Sequence, residues 1–293
     1  MPVLSGAHAH LRALAVIAAA LALAACSGGP KAQGSGRPAR AAGANPVASA
    51  TPSGAPAAAG AAQQAPSGAA SSAAGAPAAV PGTLHLPVPG VYHDTVTKSG
   101  STSQVTQKYE VGATSNGATP VTVTLTLANG GQQITYDSWR ADGIYLLQST
   151  FVNNGQRTDC PFKQPVLQSP LPLRAGLKWT ASGTCTTGAP SSANVSIKIS
   201  AQVVGTAWQT IGGVRVATFQ AHATVTSDIS GTYVGQVGTA PQPYDIHSVT
   251  DTTDYFDPPA GLIVRDISNT TTTNNGATST SSTDTLLTGL KPS

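Results

Sequence analysis

The chain reads as an all-β protein. The expectation is a single domain of about ten antiparallel strands, forming a curved meander or partly open barrel after a disordered tether. Three observations predict this. Asn-Gly or Asp-Gly recurs at Asn116-Gly117, Asn129-Gly130, Asp142-Gly143 and Asn154-Gly155, at intervals of 13, 13 and 12 residues. Such dipeptides suit type I′ hairpin turns, whose two central residues both need φ > 0. Apolar and polar residues alternate with a period of two, which gives a sheet one buried and one wet face. Finally, no convincing amphipathic helix follows the N-terminal apolar run.

The turn spacing leaves strands of about ten residues, roughly 33 Å long. Val121, Val123, Leu125 and Leu127 alternate with Thr122, Thr124 and Thr126. Ile134 and Tyr136 begin the next strand, and residues 144–152 form the one after. Val195, Ile197, Ile199, Ala201 and Val203 then oppose Ser196, Lys198, Ser200 and Gln202. Gly212-Gly213 turns the chain into a strand over 214–225, and another is expected at about 244–256. Pro258-Pro259 breaks it, the chain returns through 262–273, and Asn275-Gly276 introduces a last strand ending near Leu287. Residues 270–273 and 278–284 are polar on both faces. That pattern fits a sheet edge, a surface wetted from both sides, or a frayed terminus, and it favours a partly open sheet over a tightly closed barrel. Trp139, Trp179 and Trp208 are expected to anchor the core, as large aromatics do where they are few.

The N-terminus follows other rules. His8, His10 and Arg12 make a weakly basic start, residues 13–23 an apolar run, and Ala24-Ala25 a small-residue site before Cys26. These are the three parts of a secretory signal. The run is shorter than the ~20 apolar residues of a membrane-spanning helix. Leu23-Ala24-Ala25-Cys26 resembles the lipobox of bacterial lipoprotein precursors, and the alternative is an ordinary signal peptide that happens to contain Cys. The resemblance implies cleavage before Cys26, acylation of its thiol, and a lipid anchor on the extracytoplasmic face of the cell membrane. Two or more acyl chains hold a protein stably, whereas one does so only marginally. On this reading residues 1–25 are signal peptide, 26–82 a lipid-anchored linker, and 83–293 the β domain.

The linker is almost entirely Ala, Gly, Pro and Ser and has no aromatic residue. It cannot bury enough apolar surface to offset the entropy of ordering. As a flexible coil it would span on the order of 40 Å. All 12 acidic residues and 11 of the 15 basic ones lie in the β domain, leaving it near neutral. The positive balance comes from Arg12, Lys31, Arg37 and Arg40. The last three either touch anionic head groups or serve solubility. A basic face for nucleic acid is not indicated. Export places the chain where disulfides persist. With Cys26 acylated, Cys160 and Cys185 remain as an even pair, read as one structural disulfide. A zinc site would need further ligands, and a redox pair more often shows C-x-x-C spacing.

Catalytic motifs are missing. The sequence has no G-x-S-x-G elbow, and no H-E-x-x-H or phosphate-binding Gly loop. Glu110 is the one Glu, so glycosidase chemistry would need paired Asp. His85, His93, His222 and His247 are scattered. Asp251, Asp254 and Asp257 could offer oxygens to Ca²⁺, but three-residue spacing on a strand sends successive side chains to opposite faces. His93-Asp94 beside a Ser hydroxyl carries no weight in so Ser-rich a chain. Residues 255–262 (Tyr-Phe-Asp-Pro-Pro-Ala-Gly-Leu) read as a pocket lip or a plug sealing one end of the sheet. Together with residues 171–179 they loosely resemble uncharacterised secreted β domains of lipoproteins, and the Ala/Gly/Pro bias resembles actinobacterial composition. That resemblance implies no catalytic residue. The expectation is therefore no enzyme, no cofactor and no metal. It is a non-enzymatic module binding an apolar or amphiphilic envelope ligand, with a structural or adhesive contact to wall polymer or another protein as the alternative.

Overall fold

A computed structural model describes residues 80–188, 192–233 and 242–293. The expected signal segment, Cys26 and the linker up to residue 79 lie outside the described residues. The rest is all-β. Twelve strands form among the described residues: β1 (Gly90–Lys98), β2 (Ser101–Val111), β3 (Ala118–Thr126), β4 (Gln132–Arg140), β5 (Gly143–Asn153), β6 (Gln156–Pro170), β7 (Lys178–Thr186), β8 (Ala193–Ile211), β9 (Val214–Tyr233), β10 (Gln242–Asp257), β11 (Leu262–Asn274) and β12 (Ala277–Leu287). Each pairs antiparallel with its neighbours in sequence, and β12 returns to β1 to close the barrel. The meander was expected; the two additional strands and the closure were not.

Turn chemistry explains part of this. Asn116-Gly117, Asn154-Gly155 and Asn275-Gly276 have both residues at positive φ, as type I′ hairpins require. Ser99-Gly100 does the same and makes the β1–β2 hairpin, although Ser is not a usual first residue there. At Asn129-Gly130 only the glycine has positive φ, and Leu127 N–H donates to the Gly131 carbonyl across a longer turn. At Asp142-Gly143 neither residue does, and Gly143 already begins β5.

The ladder thins at one place. β6 and β7 share a single register pair, Phe162 with Cys185, whereas β7 and β8 share nine. β6 carries Pro161 and Pro165, which lack the N–H a ladder needs. Its register against β5 jumps from Gln148–Pro161 to Leu146–Val166. Side chains close the seam instead. The Cys160–Cys185 disulfide, with Cα atoms 5.4 Å apart, ties β6 to β7. Phe162 and Val166 lie against Gly183, where any Cβ would overlap the Val166 side chain.

The inward face is apolar along one arc and polar along another. Leu146, Phe151, Val166, Trp179, Ile197 and Val225 belong to a large cluster fed by β5 to β10. A second cluster gathers Tyr92, Tyr109, Val121, Ile211, Val264 and Leu287. On β10, β11 and β12 the inward row turns hydrophilic, with Thr250, Thr252, Asp254, Asp266, Ser268, Thr283 and Thr285 all buried. Some neighbouring hydroxyls pair with one another, Ser248 with Thr272 and Thr250 with Thr270, each at 3.0 Å, whereas the buried Thr285 Oγ1 has no hydrogen-bond partner among the described residues. The two-sided polarity has two origins. Along residues 270–273 β11 is paired on both sides and marks no edge. β12 pairs with β1 only over residues 283–287, so residues 278–282 pair with β11 alone and form a largely exposed edge, one of the outcomes the pattern predicted.

One end of the barrel is sealed. Residues 80–89 run from Leu173, whose N–H donates to Gly82 O at 2.6 Å, to the β10–β11 turn, where His85 N–H donates to Pro258 O at 2.9 Å. Gly261 in that turn has φ +66°, and a Cβ there would overlap the His85 carbonyl oxygen. The 255–262 string is thus a plug: Phe256 and Leu262 are buried and Tyr255 is half-buried. At the same end β8 and β9 outrun their other neighbours and continue as a two-stranded ribbon beyond a bulge at Val203/Gly205. Ile211 near its tip is buried in the second cluster. Trp208, expected in the core, sits on this ribbon 38% exposed, with Arg215 stacked 4.3 Å from its ring centroid. Trp179 is buried, its indole N–H donating to Gln168 O at 3.0 Å.

The seam yields a prediction. Replacing both Cys160 and Cys185 by Ala should lower unfolding stability by about 3–4 kcal/mol, the value for a loop of 25 residues. Urea denaturation measures it, and hydrogen exchange should quicken at β6 and β7 before it does at β8 and β9. Uniform exchange across all strands would contradict the seam assignment.

Candidate functional site

The outer face of β7 to β11 carries a groove of about 790 Å³. Two outward rows form its floor, and each comes from cross-strand register. One runs Lys178, Gln202, His222, Thr253, Ile267; the other runs Thr180, Ser200, Thr224, Asp251, Asn269. At the usual strand separation five strands span about 19 Å. A second hollow of about 560 Å³ continues along β7, β8 and β9 past Ser182, Lys198 and Thr226, and shares Thr180, Ser200 and Thr224 with the first.

The chemistry of this face is that of hydroxyls and amides with a few charges. Thr224 Oγ1 donates to Asp251 Oδ1 at 2.6 Å, and Gln220 Nε2 lies 3.2 Å from His222 Nε2. Further along, His247 Nδ1 meets Asp228 Oδ1 at 2.7 Å. Across β11 and β12 the Arg265 guanidinium grips both oxygens of Asp284. That bond holds the Arg265 pKa above its ordinary value. Lys178 and Lys198 form no ion pair among the described residues.

Inside the barrel a separate cavity of about 50 Å³ lies among Tyr109, Asp137, Trp139, Ile144, Gln168 and Phe256. Asp137 accepts a 2.7 Å hydrogen bond from Gln168 Nε2. Burial pushes its carboxyl up to about 7, against the opposing pull of that hydrogen bond. Nearby, Gln107 bridges Asp94 and the Tyr109 hydroxyl, with all three buried. Asp254 and Asp266 are register partners, 1% and 0% exposed, and Thr252 donates to Asp266 Oδ2.

The residues singled out from sequence do not converge. Asp251 faces outward into the groove, Asp254 inward, and Asp257 is buried at the strand end, so the three do not form a cation site. Among the described residues no three His, Cys, Asp or Glu stand together as metal ligands. His93 reaches outward to Ser293 Oγ at 3.1 Å while Asp94 points in, which separates that pair. His85 lies in the sealing strap and His222 in the groove. Sequence reasoning missed the groove. Ser196 to Gln202 read correctly as one polar face, but in β7 the alternation of Trp179, Ala181, Gly183 and Cys185 with Lys178, Thr180, Ser182 and Thr184 was not picked out, because Ala and Gly make a weak apolar face.

No protein-family model matches the chain, and no curated protein matches it. Among solved structures it is similar to the hypothetical lipoprotein YmcC from Escherichia coli (K12), at 10% sequence identity and a TM-score of 0.30, over 70% of this chain and 86% of that one. A likeness of that size assigns no residue a role.

Asp137 gives a pH prediction. Its folded pKa of about 7 lies above the ordinary 3.8, so the native state holds a proton the unfolded chain releases. Its contribution is fully present below about pH 4 and is lost as pH rises to about 7. Relative to Asp137→Asn, the parent should therefore lose thermal stability between pH 4 and 7, with no further divergence above. A constant difference in melting temperature across that range would refute the assignment.

Proposed function

We propose that this chain is an extracytoplasmic lipoprotein, held to the cell membrane by lipid on Cys26, whose barrel is a non-enzymatic contact module for a hydrophilic envelope polymer. The anchor rests on the Leu23-Ala24-Ala25-Cys26 string behind its apolar run. The contrast between the two hollows carries the contact reading. Among the described residues, the hollow inside the barrel at Asp137 holds about 50 Å³, and the one on the outer face, with its hydroxyl and amide rows, about 790 Å³. An apolar or amphiphilic envelope ligand inside the sheet was the leading expectation from sequence. It would need an enclosed apolar cavity of a few hundred Å³, so the geometry favours the wall-contacting alternative. A protein partner on the same face is the competing occupant.

Two measurements test the proposal. Cys26→Ala should move the protein from the membrane pellet to the soluble fraction of the exporting cell; unchanged pelleting would remove the anchor. Native mass spectrometry of the lipidated chain should show no mass beyond the anchor and the two hydrogens lost to the disulfide. A reproducible added mass that disappears on solvent extraction would restore the amphiphile carrier.

A further inference from the structure

We propose that the outer groove on β7 to β11 binds an acidic polysaccharide, read by Lys178 and Lys198 together with the hydroxyl and amide rows between them. This deepens the contact reading above but does not depend on the lipid anchor.

The argument begins with the two lysines. Both project from the outward face and neither forms an ion pair among the described residues. They are far apart. Lys178 registers with Gln202, and Lys198 lies four residues back along the same strand. At standard strand rise and separation their Cα atoms are about 14 Å from each other. A single phosphate or carboxylate cannot reach both, whereas a polymer with acids at intervals can. Ammonium groups suit this task as point charges on flexible stems that follow a mobile chain.

The space between them fits the rest of a sugar chain. Thr180 and Ser200 are register partners on the floor, with Ser182 and Thr226 on the Lys198 side and Gln202 on the Lys178 side. These groups donate and accept, as sugar hydroxyls do. Asp251, held by Thr224, bounds the groove on β10 as an acceptor for hydroxyls and a like charge against acids. Acidic groups are thereby confined to the β7–β8 side. The two outward rows of the floor carry hydroxyl, amide, imidazole and charged side chains at every position but Ile267 on β11, which favours a hydroxyl-rich chain over a polypeptide, although Trp179, Ala201 and Ala223 also border the groove.

The test uses the full lipidated chain in detergent, with binding read by microscale thermophoresis. Three probes separate the possibilities: polygalacturonate as acidic glycan, dextran as neutral glycan, and polyglutamate as an acid without sugar. Polygalacturonate should bind, and more weakly as salt rises. Lys178→Ala and Lys198→Ala should each weaken it about fivefold, the size of an exposed ion pair. Lys291→Ala, in the exposed C-terminal segment beside β1 and across the barrel from β7 and β8, should leave it unchanged. Melting temperatures of the three variants should match the parent, since both groove lysines are solvent-facing and form no ion pair among the described residues. Equal binding of dextran, equal binding of polyglutamate, no binding of any probe, or an equal loss in Lys291→Ala would each overturn the proposal. Because the anchor is read by fractionation of Cys26→Ala, neither result can stand in for the other.

Discussion

Everything in this barrel depends on closing the seam between β6 and β7. A sheet avoids exposed edges only if every strand finds two neighbours, and here one junction lacks the backbone groups to do so. Pro161 and Pro165 remove two donors and push residues between them out of register. The Cys160–Cys185 disulfide and the packing of Phe162 and Val166 on Gly183 take over where the ladder fails. The disulfide is thus more than an entropic staple: it stands where hydrogen bonds would otherwise complete the circle. Reduction would weaken the molecule at its thinnest point, so an oxidising compartment would suit such an arrangement.

Closure has a consequence for the interior. One arc of the inner face is apolar, and the other is lined with hydroxyls and carboxylates. Several of these pair with each other across β10, β11 and β12, and in the Asp94–Gln107–Tyr109 bridge. Buried polar groups are tolerated when their partners are in place, and such networks specify register as well as stability. Asp137 makes the interior sensitive to pH: it is buried beside a small cavity and resists ionisation. One end is sealed by residues 80–89, and the groove lies on the outer wall.

Much of the fold was legible in the sequence. Asn116-Gly117, Asn154-Gly155 and Asn275-Gly276 specify their hairpins by local backbone sterics, so their turns could be read without knowing what surrounds them. Ser99-Gly100 was missed because Ser seldom takes positive φ, and Asp142-Gly143 was misread because a dipeptide cannot reveal where the ladder ends. The polar strands β11 and β12 looked like an edge, which holds for residues 278–282 of β12 beyond the end of β1 but not for residues 270–273 of β11, which are paired on both sides. Alternation shows which residues share a face, yet a hydroxyl facing a polar interior and one facing water look alike. Trp208 was assigned to the core on its size, but on a two-stranded ribbon its face stays in solvent and Arg215 covers it.

By itself the sequence determined the all-β class, the antiparallel hairpins at several of its turns and the expected pairing of the two domain cysteines. These follow from period-two patterning, turn chemistry and cysteine count, all of which act over a few residues or need no geometry. Only the tertiary structure decided that the sheet closes, that its polar arc turns inward, and that Lys178, Lys198, Thr224 and Asp251 come to one groove. Those outcomes rest on register between strands brought together by folding, and a shift of one residue would send each of those side chains to the opposite face.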